Sequence, residues 1–151
     1  MEKQFEIIRK ARQNILHHVD DLTPEQLNKI PNGFNNNIIW NLGHLIAAQQ
    51  GLSYKRGGQP IKIEESFFEK YKPGTKPQGF VEANEIAKIK ELLLSTVDEL
   101  EKDYQQKKFG VFQSWTTRTD IQANSIDDAI NFIVWHDGLH NGYIMALKHC
   151  I

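Results

Sequence analysis

The residues best suited to chemistry lie near the C-terminus, in the run WHDGLHNGY. His136 and His140 are four positions apart, so a helix would present both rings on one side. That spacing lets two imidazoles chelate one divalent ion. On a helical wheel the pair shares a face with Ala129, Phe132, Ile133, Tyr143, Ile144 and Leu147, the apolar face that should look inward. Two neighbouring buried imidazoles need partners for their polar nitrogens. A metal ion takes one nitrogen from each ring, and the other can donate to a carbonyl or carboxylate. A third histidine, His44, lies in NNNIIWNLGHLIAAQQGLSY. Ile38, Ile39, Leu42, Leu45, Ile46 and Leu52 form a broad apolar arc there, with His44 roughly opposite, beside Asn37, Trp40, Ala48 and Gly51. A helix of that kind has contacts on two sides. Its small residues leave room for another helix or a cavity, so His44 can reach the His136/His140 pair. Three imidazoles with open positions is the layout of a reactive metal site, because a structural site closes all four. The ordinary reading, three hydrogen-bonded histidines without metal, stands beside it, and periodicity alone leaves the two balanced.

Other candidates are weaker. Asp137 is about 100° round the helix from His136, a poor position for a general base, and reads as a group behind a ligand or at the surface. Tyr143 reads as a packed core tyrosine. Gln49, Tyr54 and Trp115 could border a pocket. His17 and His18 point about 100° apart and read as non-ligands; His149 suits an exposed helix C-terminus. Cys150, the single cysteine, lies at the chain end with nothing nearby to activate its thiol. No catalytic acid or base can be named.

The elements that must position these residues follow from helical periodicity. A first long helix spans Glu2 to about Val19, with Phe5, Ile8, Ala11, Ile15 and Val19 at steps of three and four. Thr23-Pro24-Glu25-Gln26 begins a short helix with a capping-box pattern, ended by Pro31-Asn32-Gly33. A second long helix runs from about Asn36 to Lys55. Residues 57–79 form a Gly- and Pro-rich connection in which EESFFEKY makes one or two helical turns. A third long helix spans about Glu82 to Gln106, and a connection over 107–124 holds a short extended segment or hairpin. Ser125 caps the fourth long helix, which runs to about His149. Four long helices without a strand series predict an all-α four-helix bundle, one domain over 1–151.

Composition removes several function classes. The 151 residues carry a formal net charge of -1 and no Lys/Arg run, which argues against a nucleic-acid partner or an anionic membrane surface. One cysteine excludes a disulfide-stapled fold. The charged start, MEKQFEIIRKARQNILHH, lacks a signal-peptide core, and no apolar run reaches the ~20 residues of a membrane span, so a cytoplasmic location is expected.

Three segments, IIWNLGHLIAA, FQSWTTRTDI and IDDAINFIVWHDGLHNGYIMALK, together resemble the DinB-like superfamily of metal-binding bundles. The resemblance covers essentially the whole chain. It implies that His44, His136 and His140 ligate one divalent metal ion: zinc, nickel, iron or manganese. It also implies a long crossover between the second and third long helices and a homodimer. Relatives include bacillithiol- or mycothiol-dependent S-transferases and metal-dependent hydrolases. Lacking an obvious base near the histidines, the chain is expected to be a thiol S-transferase-like enzyme acting on a small molecule, with a low-molecular-weight thiol as partner. The alternatives are a metal-dependent hydrolase and a non-catalytic metal-binding dimer.

Overall fold

The computed structural model describes residues 1–117 and 119–151; Arg118, inside the segment FQSWTTRTDI, lies outside the described residues. Helix α1 (Glu2–Val19) buries Phe5, Ile8, Ile15 and Val19 of the expected stripe, while Ala11 is half-buried and Arg12 is buried beside it. Helix α2 (Pro24–Asn28) starts with the full capping box of Thr23 and Gln26. Helix α3 (Ile38–Gln50) begins where the Asn37 side chain accepts the Trp40 N–H at 2.9 Å. It continues without a break into a π-helical turn, Gly51–Lys55. Helices α4 (Glu65–Tyr71), α5 (Ala83–Gln105) and α6 (Ile126–Lys148) complete the helical set. The connection before α6 carries a two-residue antiparallel ladder, β1 (Trp115–Thr116) with β2 (Gln122–Ala123), pairing Trp115 with Ala123. Of the two forms expected there, a short extended segment or a hairpin, the paired ladder matches the second.

The long helices α1, α3, α5 and α6 form the bundle, with α1 against α5 and α6, and α3 against the same two. Two apolar clusters reveal the directions. One end joins Ile15 and Val19 of α1, Ile38 to Ile46 of α3, Ile86 to Leu93 of α5, and Ile144 and Leu147 of α6. The other joins Phe5 and Ile8, Leu52 and Tyr54, Val97 and Leu100, and Ile130 and Ile133. Helices α3 and α5 therefore run parallel, as do α1 and α6. Parallel neighbours force the chain to travel the length of the bundle between them. The crossover that does so contains α4, and it is the long connection expected between the second and third long helices.

Helix α3 is the axis of the molecule: all thirteen of its residues are buried. That explains the weak amphipathicity of its sequence, because α2, α4, α5 and α6 all pack on it. Gly43 is required by one of these contacts. A Cβ there would sit 2.5 Å from the Tyr71 ring, so α4 can approach α3 only over a glycine. Among the described residues no helix is long and apolar enough to cross a membrane.

Candidate metal centre

His44 reaches the centre from α3, and His136 and His140 from α6. One ring nitrogen from each lies within 4.8 Å of the other two, and this is the one such cluster of His, Cys, Asp or Glu among the described residues. Ring centroids are 5.3 Å apart for His44–His136, 5.0 Å for His44–His140 and 4.5 Å for His136–His140.

The hydrogen bonds of two rings fix which nitrogen is free. His44 Nδ1 is 2.9 Å from the Tyr71 carbonyl. A carbonyl only accepts, so Nδ1 carries the proton and Nε2 keeps its lone pair. His140 Nδ1 is 2.8 Å from Asn41 Oδ1. The Asn41 amide is oriented by its Nδ2, which donates to the Asn37 carbonyl at 2.7 Å. His140 therefore also protonates Nδ1 and frees Nε2. Such backing partners set tautomer and aim in histidine metal sites. His136 makes no hydrogen bond among the described residues. Trp40 stacks on His44 with ring centroids 4.7 Å apart and planes 11° from parallel.

All three rings favour the neutral form. Burial, then the neighbouring His140 and His44 and the Arg12 charge, press His136 down to about 2. Burial and His44 press His140 down to about 4. Burial lowers His44 as well, against the opposing pull of the Tyr71 carbonyl. At neutral pH the cluster offers unprotonated nitrogens, as a metal ion needs. The residues present therefore fit a divalent ion of the kind that imidazole suits.

The histidines open onto a cavity of about 480 Å³, within the usual range for small-molecule sites. Of the pocket candidates read from sequence, only Trp115 lines it. Gln49 turns away, with Oε1 accepting from Arg12 and Nε2 donating to the Thr96 carbonyl. The Tyr54 hydroxyl donates to Asp103 at 3.0 Å. Tyr143 packs edge-on against Phe34, as a core tyrosine does. His17 and His149 are exposed, and His18 meets Asn14.

Asp137 requires a correction where it was read as a surface group, because it is 1% exposed. On α6 the most deeply buried line runs through Ile130, Ile133, Asp137, Ile144 and Leu147, and the two histidines flank it on the cavity side. Asp137 Oδ2 accepts from Arg12 Nε at 2.7 Å. Arg12, itself fully buried, also donates to Gln49 Oε1 and to the carbonyls of Leu45 and Leu93. One guanidinium thus ties α1 to α3, α5 and α6 beside the histidine cluster. The sequence did hold a signal for it: Arg12 is four residues after Ile8 and three before Ile15, a charge within the buried stripe of α1.

The model of the DinB superfamily matches residues 7–144. The chain belongs to the DinB superfamily. The match includes all three histidines of this DinB bundle, together with Arg12, Asn41 and Tyr71 behind them. No curated protein matches the chain.

Proposed function

We propose that His44, His136 and His140 hold one divalent metal ion through single ring nitrogens, and that the centre activates a small thiol for transfer to an electrophile. The observation that carries this reading is the cavity wall. Among its described residues the only titratable side chains are the three histidines. Hydrolysis wants a general base beside the attacking water, and no carboxylate lines this cavity among those residues. Asp137, the nearest candidate by sequence, is committed to Arg12. Thiol transfer needs no such base, since a divalent ion held by the three histidines would itself supply the charge that lowers a thiol's pKa.

The chain's own residues supply the rest. The Tyr71 carbonyl and Asn41 Oδ1 hold two imidazoles in the tautomer that turns a lone pair inward. Apolar walls thin the water around the sulfur, which keeps the thiolate reactive. In the transfer the thiol loses its proton to solvent and a new S–C bond forms. The leaving group departs with the electron pair of the broken bond. The chain is proposed to work in the cytoplasm.

The test uses protein reconstituted with cobalt(II). Titration with 2-mercaptoethanol should produce a sulfur-to-cobalt absorption band whose pH midpoint lies below the free thiol's. The loaded protein should then accelerate thioether formation with 1-chloro-2,4-dinitrobenzene, releasing chloride. Thiol-independent cleavage of 4-nitrophenyl acetate, without a sulfur band, would overturn thiol transfer in favour of hydrolysis.

A further inference from the structure

The sequence contains three tryptophans, and all three line the one cavity above the histidines. They arrive from three elements: Trp40 on α3, Trp115 on β1 and Trp135 on α6. Phe132 joins them. Trp115 meets Phe132 edge-on at 5.2 Å and 89°, and Phe132 meets Trp135 at 5.3 Å. These rings form a continuous run that ends 5.9 Å from His136. Trp40 flanks His44 and is held rigidly, stacked on the imidazole while its indole N–H donates to Thr75 Oγ1 at 3.2 Å.

Core packing does not account for this arrangement. Trp135 is 47% exposed and Leu139 is 54% exposed, both on the cavity wall. Each large apolar surface left in water forgoes the stabilisation that burial would bring. Contiguous exposed apolar surface beside a reactive centre marks a ligand site. Aromatic walls prefer offset or edge-on aromatic partners, beyond the gain from buried area. Apart from the histidines, the polar side-chain groups on the described wall are neutral: the hydroxyls of Thr75, Thr117 and Thr119 and the indole N–H groups of the tryptophans. An ionised ligand group entering there would lose its water without a counter-charge from those residues.

We propose that the cavity takes an uncharged, planar aromatic group. As a statement about the electrophile this rests on the thiol-transfer reading; as a statement about what the cavity binds it rests on the walls alone. It names the part of a substrate that docks beside the histidines, leaving the electrophilic atom turned toward them.

The experiment uses three probes of matched size: 2-naphthalenemethanol, its carboxylate counterpart 2-naphthoate, and the saturated decalin-methanol. Metal-free protein labelled with nitrogen-15 is titrated, and the three indole N–H signals, all from cavity residues, are followed by NMR. The expected result is saturable movement of these signals, with the neutral aromatic binding at least tenfold more tightly than either analogue. Trp135→Ala should weaken that binding about tenfold while leaving the metal stoichiometry of the reconstituted protein unchanged. Equal affinity for the three probes, or binding that leaves the indole signals unmoved, overturns the proposal. The ranking found in a protein that takes up no metal would uphold this proposal while removing the metal reading. Stoichiometric metal without the ranking would do the reverse.

Discussion

Replacing Asn41 with Leu tests whether the histidines are aimed for metal or merely buried together. Asn41 is fully buried on α3, one turn before His44, and its Oδ1 accepts the His140 Nδ1–H at 2.8 Å. Leu has the same branched side-chain skeleton but bulkier methyl groups, so the stability measurement below is needed to separate packing from metal binding. The substitution removes the acceptor and leaves the imidazole free to move its proton to Nε2, where it blocks the lone pair. Loss of such a backing partner typically weakens metal binding about 10- to 100-fold, or about 1.4–2.7 kcal/mol. An Nδ1–H left unpaired in the interior costs about 1–3 kcal/mol, a similar size. Competition with a chromophoric zinc chelator at pH 7 measures the affinity, and urea unfolding of the metal-free protein measures stability separately. The expected outcome is an affinity loss in that range, with Asn41→Asp retaining most of the binding because a carboxylate also accepts from Nδ1. An affinity within threefold of wild type for Asn41→Leu would refute the reasoning, because His140 would then need no orientation.

Gly43→Ala should act on the metal from a distance. The new Cβ would lie 2.5 Å from the Tyr71 ring, and the displaced strand of contacts includes the carbonyl that orients His44. Overpacking of this kind costs about 1–3 kcal/mol, and the chelator assay should show weaker zinc binding; destabilisation with unchanged affinity would contradict the link through α4. Arg12→Leu leaves Asp137 buried without its ion-pair partner and should destabilise the fold by about 3–5 kcal/mol. Arg12→Leu combined with Asp137→Leu should recover much of that loss in urea unfolding, since no lone buried charge remains. For pH, the folded-state values of about 2 for His136 and about 4 for His140 lie below the ordinary 6.5. The unfolded chain therefore takes up protons first as pH falls. The metal-free fold should lose stability below about pH 6.5, by about 1.4 kcal/mol per pH unit for each histidine inside its window. Stability that stays flat from pH 7 to pH 5 would contradict the burial of these rings.

The long helices were legible because their apolar residues recur at the helical step, and the starts of α2 and α6 because Thr23 and Ser125 are capping types. The His136/His140 pair was legible because i,i+4 spacing is a local property. His44 joined it through the resemblance and through the width of the α3 apolar arc. What sequence could not supply is long-range. The Tyr71 carbonyl that orients His44 is a backbone atom twenty-seven positions away, and no residue type announces it. Asn41 could have been noticed as a polar residue between the apolar Trp40 and Leu42, but its partner lies ninety-nine positions on. Asp137 was misjudged as a possible surface group because a wheel drawn for one helix cannot show that Arg12 of α1 lies across from it.

The central claim is that the three histidines hold one metal ion, and elemental analysis tests it most directly. Untagged wild-type protein should be measured beside His44→Ala and His136→Ala variants, after incubation with zinc, nickel, iron or manganese. The account predicts close to one divalent ion per chain in the wild type and loss of it in both variants, with each variant still helical by circular dichroism. A folded wild-type protein that retains no metal under any of these conditions would contradict it.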